Sequence, residues 1–327
     1  MIVGHKRILN YFERVLKRGT LAHAYLFHGP EGVGKKTFAI ELAKSLLCLA
    51  KTERTFGGCG VCGECRRVET LTHPDLIFLS RESLIVDEEN KREIGIKNIH
   101  ELRRRVGETS WAGGRRVVII DGAELLSRDA AAALLKTLEE PTEAVVFLLI
   151  TPSAMSLLDT IRSRAVGLSF SRVGDEEMAL LFPEAFPADK TELFALADGR
   201  PGVLGRLVSD KNFGLAVKDR FSRLEELVRA DIDEKFAFSE KESREAGRLE
   251  ELIDFLIGRT RAAVIGLSAS GDKGGSGELP ASLADLVSFL RSLLYHNSIL
   301  ASSAVNRRLL ADGVLFDLHI LSRNNVI

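Results

Sequence analysis

The stretch "AYLFHGPEGVGKKTF", Ala24–Phe38, decides the fold. A short apolar run leads through a glycine-rich turn into a segment with helical periodicity. The turn matches the phosphate-loop pattern G-x-x-x-x-G-K at Gly29, Gly34 and Lys35, with Gly32 between them. In such a loop backbone N–H groups point at phosphate oxygens, and the N-terminus of the following helix adds positive potential. Lys35 then reaches the outer phosphates, and the next residue is normally a Ser or Thr whose hydroxyl holds magnesium. Here that residue is Lys36. Thr37 follows, but one step along a helix turns a side chain by roughly 100°, so it is expected to face elsewhere.

A strand that feeds a helix in this way belongs to a parallel sheet, and the flanking sequence repeats the alternation. Apolar runs rich in branched and aromatic residues at 24–29, 75–80, 116–121, 145–151 and 165–170 read as buried strands. Helical patterns occupy 35–48, 97–108, 127–139 and 154–161. After Phe170 strand runs cease. Two short helices at 174–182 and 189–197, separated by Pro183 and Pro187, carry acidic residues in their first turns, and "ADGRPG" at 197–202 ends that unit. From about 209 the chain is helical again, and the Gly/Ser-rich stretch at 268–280 reads as a flexible loop within one bundle. The expected architecture is α/β: a P-loop domain with a parallel sheet over 1–170, a small helical lid over 171–208, and an all-α C-terminal domain over 209–327.

Composition narrows the function classes. A chain of 327 residues is too long for one core, and 45% apolar with 28% charged residues is the balance of a soluble globular protein. The N-terminus "MIVGHKRILNYFERVL" has an amphipathic helical pattern and no run approaches the length of a membrane span, so no membrane partner and a cytoplasmic location are expected. A formal net charge of -1 argues against a free-standing DNA binder, which is usually basic throughout.

The second half of an ATP site is an acidic residue at the end of a neighbouring strand. "VVIID" ends at Asp121, well placed to orient magnesium. A hydrolysing site also needs a group that positions the attacking water, commonly a carboxylate directly after this Asp. That position is Gly122, and Glu124 lies two residues beyond, where it is expected to face another direction. Whether ATP and magnesium bind is therefore left open by the residues.

Cys48, Cys59, Cys62 and Cys65 account for all four cysteines and fall within eighteen residues. Four thiols are the ligand set of a closed tetrahedral zinc site, and the glycines at 57, 58, 60 and 63 permit the chain to wrap closely around a metal. With every position filled by cysteine no water site remains, so the expected Zn2+ is structural. A DNA-reading finger carries a helix with basic residues at fixed positions, whereas here only Arg66 and Arg67 follow.

Taken together, "LAHAYLFHGPEGVGKKTFAIELAKSLLC", the cysteine cluster, "HPDL", "RRVVIIDGAELLSRDAAAALLKTLEEP" and "TIRSRA" resemble the AAA+ clamp loader subunits of bacterial DNA polymerase III, and among them the delta prime type. The resemblance covers about residues 1 to 208. It implies a two-domain AAA+ module, with a zinc module (48–65) inserted in the first domain, and an α-helical collar through which subunits form a ring. The implied partners are the other loader subunits, delta and gamma/tau, and within the assembly the sliding clamp and primed DNA. In this family ATP sits between subunits, and one subunit's arginine completes its neighbour's site. The motif is usually S-R-C and here reads Ser163, Arg164, Ala165, which makes Arg164 the expected arginine finger in trans, with Arg162 as a substitute. Thr151 matches the residue that senses the γ-phosphate. The second sensor arginine is out of register, since the family's G-x-x-R reads Gly199, Arg200, Pro201, Gly202.

Other features have ordinary readings. His23 and His73 are expected to be structural, and the arginine-rich run at 100–116 reads as a solvated helix face. Three functions compete: a stator of delta prime type with little or no ATP hydrolysis, an ATP-hydrolysing gamma/tau-like motor in which Glu124 and Thr37 take over the missing roles, and a zinc-dependent DNA-binding regulator.

Overall fold

In the computed structural model, residues 2–50, 56–80, 93–111, 114–140, 144–181, 190–242, 248–270, 283–300 and 306–323 are described. Pro183, Pro187 and most of the Gly/Ser-rich stretch lie outside them. The backbone divides into two units, Met1–Gly205 and Arg206–Ile327.

Five strands of the first unit, β1 (Ala24–His28), β2 (Leu76–Ser80), β3 (Arg116–Asp121), β4 (Val145–Thr151) and β5 (Val166–Ser169), make one parallel sheet in the order β2-β3-β4-β1-β5. The helices interleaved with them are α1 (Lys6–Arg18), α2 (Lys35–Leu47), α3 (Gly63–Glu69), α4 (Ile96–Gly107), α5 (Arg128–Glu139) and α6 (Asp159–Arg162). A strand covered on both faces must be apolar at every position, and β4 is buried along its whole length. Its side chains alternate: Val146, Leu148 and Ile150 join a core with Phe12, Phe27 and Phe38, while Val145, Phe147 and Leu149 join another with Ile99, Leu102 and Leu134. The register brings His28 opposite Thr151, and Asp121 opposite Ser80 and Ile150. Four polar strand ends thus gather at the carboxyl edge of the sheet, where ligands of α/β folds bind.

Expected and observed elements differ in three places. The helix expected over 154–161 is a 3-10 turn at Ala154–Ser156 followed by the short α6. Ser153 and Ser156 bond to nearby backbone there, offering it an alternative to a continuous helix. Helix α3, absent from the sequence reading, starts at Cys62, whose sulfur accepts the N–H of Cys65. After α7 (Asp175–Ala179) and α8 (Lys190–Ala197), the "ADGRPG" segment ends α8 but also begins α9 (Pro201–Ser209). Pro201 occupies the first helical turn, where its missing N–H costs nothing. The chain up to the first turn of α9 is tied into the first unit: Gly202 N–H donates to Gly32 O at 2.8 Å, and Val173 N–H to Gly199 O at 2.8 Å.

The second unit contains α10 (Lys211–Arg229), α11 (Ile232–Glu242), α12 (Arg248–Ser270), α13 (Leu283–Leu300) and α14 (Arg307–Arg323). Leu249, Leu252, Ile253, Leu256 and Ile257 recur at helical spacing on α12 and pack with Leu286, Phe289 and Leu293 of α13 and Val314, Leu315 and Leu318 of α14. Lys235 is fully buried, and its ammonium donates to Val228 O at 3.2 Å and Ala230 O at 2.6 Å, satisfying carbonyls at the end of α10.

Candidate functional site

The loop between β1 and α2 opens on a cavity of about 400 Å³, bordered by Gly32, Gly34, Lys35, Lys36, Thr37, Asp121, Glu124 and Thr151 among others. Gly29 is not on its border, but a Cβ at that position would collide with Phe170 O, so the glycine lets the loop leave β1 against the end of β5. Gly32 and Gly34 have positive φ, 78° and 103°, as the turn into α2 requires.

Lys35 is 6% exposed, and its ammonium donates to Gly29 O and to Pro30 O, the latter at 2.7 Å. Burial pulls its pKa down to about 8, against the attraction of Glu31, Glu124 and Asp121. The neighbouring Lys36 points across the cavity floor. Its Nζ lies 3.5 Å from Asp121 Oδ2 and 4.8 Å from the centre of the Phe78 ring on β2. The acid expected to orient magnesium thus has an ammonium as its partner.

Two expectations are corrected here. Thr37, expected to face elsewhere, is exposed and borders the same cavity. Glu124, expected to point away, is brought round by the 3-10 turn Ala123–Leu125 and also borders it. Its Oε2 is buried without a hydrogen-bond partner, and burial raises its pKa against the pull of its own N–H and of Thr151. Sequence reasoning missed this because Gly122, at φ 97°, turns the chain more tightly than regular helix or strand geometry suggests. A side chain at position 122 would need that left-handed backbone and would press on Leu125 Cδ1 at 3.0 Å. Thr151 is buried, with its hydroxyl donating to Ser153 O at 3.0 Å and 2.9 Å from Ser156 Oγ. Arg200 donates from Nε to Ala197 O at 3.0 Å.

Arg164 lies apart from this cavity, just after α6. Its guanidinium donates to Glu139 Oε1 at 2.7 Å, at the end of α5, and to Thr160 O at 2.9 Å, with about a third of the side chain exposed. Arg162 pairs with Asp159 at 3.1 Å.

The four cysteines converge as expected. All four sulfurs lie within 4.8 Å of one another, and the Cys48–Cys62 and Cys59–Cys65 pairs are each 3.9 Å apart. Tetrahedral zinc with Zn–S bonds of about 2.3 Å places sulfurs roughly 3.8 Å apart, so the donor set fits that ion. Cys48 caps α2, Cys62 begins α3, and Gly58, at φ 62°, lets the backbone pass where a Cβ would stand 2.8 Å from Cys65 Sγ. Backbone N–H groups of Val61 and Cys62 draw the Cys59 thiol down to about 6, whereas burial pushes Cys65 up to about 12. Only Cys65 is buried, which does not suit four thiols packed as core.

Behind this module His73 is buried, with Nδ1 accepting the Asp75 N–H at 3.0 Å and Nε2 3.1 Å from Glu64 of α3. Asp75 is paired in turn with buried Arg116 at 3.3 Å. The arginine-rich run thus splits: Arg116 is structural, and Arg104 lies exposed on α4 between Glu101 and Glu108.

A family model described as "DNA polymerase III, delta subunit" matches residues 4–174. The chain is 34% identical to DNA polymerase III subunit delta' of Pseudomonas aeruginosa over 226 residues, 68% of this chain and 65% of that one. It is 34% identical to subunit delta' of Bacillus subtilis over 164 residues, 50% of this chain and 46% of the relative. With subunit tau/gamma of Haemophilus influenzae it shares 33% identity over 224 residues, 67% of this chain but 31% of the relative. The matched part therefore spans less than two thirds of each of these relatives. Among solved structures, a DNA polymerase III gamma subunit-related protein from Thermotoga maritima aligns over 96% of this chain and 99% of its own, at TM-score 0.42 and 19% identity.

Proposed function

Because the chain belongs to the DNA polymerase III delta subunit family, as a clamp loader subunit of delta prime type, we propose that it acts as the stator of a clamp loader. In this reading it helps to place a sliding clamp on primed DNA in the cytoplasm, contributes Arg164 to a neighbouring subunit's ATP, and hydrolyses little or none itself. The observation that carries it is the Lys36–Asp121 pair. A cation fixed on the chain occupies the carboxylate that a hydrolytic site uses for magnesium, and Gly122 stands where the water-positioning carboxylate belongs. Phosphoryl transfer is almost entirely positioning and charge stabilisation, so losing both removes most of the rate.

Arg164 supports the trans role by its place. It sits outside its own chain's cavity, held by Glu139, with part of its guanidinium open to a neighbour. The collar role rests on the second unit, where Leu309, Phe316 and Ile320 remain exposed at positions seven and four residues apart on α14. The four-cysteine site would hold a structural zinc that ties the end of α2 to α3. Among the described residues no helix is long and apolar enough to cross a membrane.

Glu124 at the cavity edge favours the motor reading instead, since that reading needs a carboxylate there. Turnover on the purified chain separates the two. The stator shows none above background and gains none with partners beyond the partners' own sites. Turnover abolished by Lys35→Ala would sink it.

A further inference from the structure

Two carboxylates close helix α5 where electrostatics disfavours them. Glu139 is its last residue and Glu140 its C-cap, so both stand at the negative end of the helix dipole. Glu140 is exposed. Glu139 is turned to Arg164, with Oε1 accepting from the guanidinium Nη2 at 2.7 Å. The pair adds little to the fold, because both side chains keep a third to a half of their surface in solvent and ion pairs so placed are screened. A carboxylate at an unfavourable position, in a pair of small worth to stability, calls for a reason in what it does to the arginine.

What it does is fix the guanidinium in one orientation. Nη1 donates to Thr160 O at 2.9 Å and to Ser163 Oγ at 3.3 Å, so these atoms hold one corner of the planar group and Glu139 holds another. A guanidinium has five N–H donors. Among the described residues the Nε–H and one Nη2 proton remain for a ligand outside the chain. Thr160 and Ser163 lie on and just after α6, within four residues of Arg164, and move with it. Glu139 is different: it lies 25 residues back, on a helix packed into the core through Leu134 and Leu138. It ties the arginine to the body of the domain.

Two effects of Glu139 on a phosphate beside Arg164 oppose each other. Its charge repels the anion, and its tether holds the guanidinium ready. The charge is half-exposed and weakened by salt. Misplacing a group that meets the transition state by about 1 Å, in contrast, costs up to about a hundredfold in rate. Positioning therefore outweighs repulsion.

We infer that Glu139 is a positioning residue: by anchoring Arg164 to α5 it presents the remaining guanidinium donors, already aligned, to the nucleotide of the neighbouring subunit. The inference rests on the reading of Arg164 as a finger in trans, and adds the residue of this chain that sets how well the finger works.

The test is the steady-state ATPase of the reconstituted loader carrying Glu139→Ala, Glu139→Gln, Glu140→Ala, Arg164→Ala, or Glu139→Ala together with Arg164→Ala. Circular dichroism and subunit stoichiometry verify that each variant folds and assembles. Glu139→Ala is expected to lower kcat roughly ten- to a hundredfold with KM for ATP within about twofold, since the contact it aligns is made in the transition state. Glu139→Gln keeps an acceptor oxygen without the charge, so kcat should return to within about threefold of the unaltered loader. Glu140→Ala removes the same charge one residue on and should leave kcat unchanged. The double variant should be no slower than Arg164→Ala alone, because a residue that acts through Arg164 has nothing left to position. Suppose Arg164→Ala slows the loader. Then an unchanged or raised kcat in Glu139→Ala, no recovery in Glu139→Gln, an equal loss in Glu140→Ala, or losses that multiply in the double variant would each overturn the inference and leave the finger reading intact. An unaltered rate in Arg164→Ala would overturn both.

Discussion

At the scale of single residues, the site is governed by where two adjacent lysines put their charge. Lys35 is buried and its pKa falls to about 8 from an unfolded value near 10.4. Its folded pKa is depressed, so its stabilising contribution is full above the unfolded value, declines as pH falls between the two, and is gone below about 8. The unaltered chain should therefore gain stability relative to Lys35→Met as pH rises from about 8 to 10, measured by urea denaturation. Further off, Asp75 and Arg116 are a buried pair whose disruption leaves one charge stranded. Asp75→Ala should cost about 3–5 kcal/mol in urea denaturation, and a loss under 1 kcal/mol would mean that the Arg105, Glu108 and Thr109 carbonyls, which also accept from Arg116, hold that junction without the carboxylate. The phosphate loop, Asp121 and the cysteines were legible residue by residue, because each rests on local spacing. Glu124 was not. Its approach to the cavity depends on the left-handed turn at Gly122, and a glycine permits that turn without announcing it.

Among the elements, those of regular period were read within a residue or two: all five strands, and helices α2, α4 and α5, follow from apolar runs and 3.6-residue spacing. Helix α3 escaped because its stabilisation is not periodic. It is short, begins on a cysteine sulfur, and packs back through Cys65 and Val68. It should depend on metal. One equivalent of zinc per chain is expected by atomic absorption, and Cys62→Ser should abolish it and speed amide exchange across Gly63–Glu69. Full zinc content in that variant would remove Cys62 from the ligand set. On α14, Phe316→Glu should leave the helix folded, since the side chain is exposed, while weakening assembly with loader partners in size-exclusion chromatography.

For the whole molecule, the decisive question is which chemistry lies within the chain and which lies between chains. Arg164→Ala should lower the ATPase of a reconstituted loader by a factor of about 10³ or more if it completes a neighbour's site, with subunit stoichiometry unchanged; an unaltered rate removes it from the mechanism. The amino-acid sequence by itself determined the strand-loop-helix unit, the parallel sheet, the clustering of the four cysteines and the helical character of the described second unit, since these depend on neighbours in sequence and on the periodicity of burial. Only the tertiary structure decided that Lys36 meets Asp121 and that Glu124 faces the same cavity. Position 36 begins α2, whereas position 121 ends β3. Only the sheet order, with β4 between β1 and β3, brings those ends together, and no spacing along the chain encodes that distance.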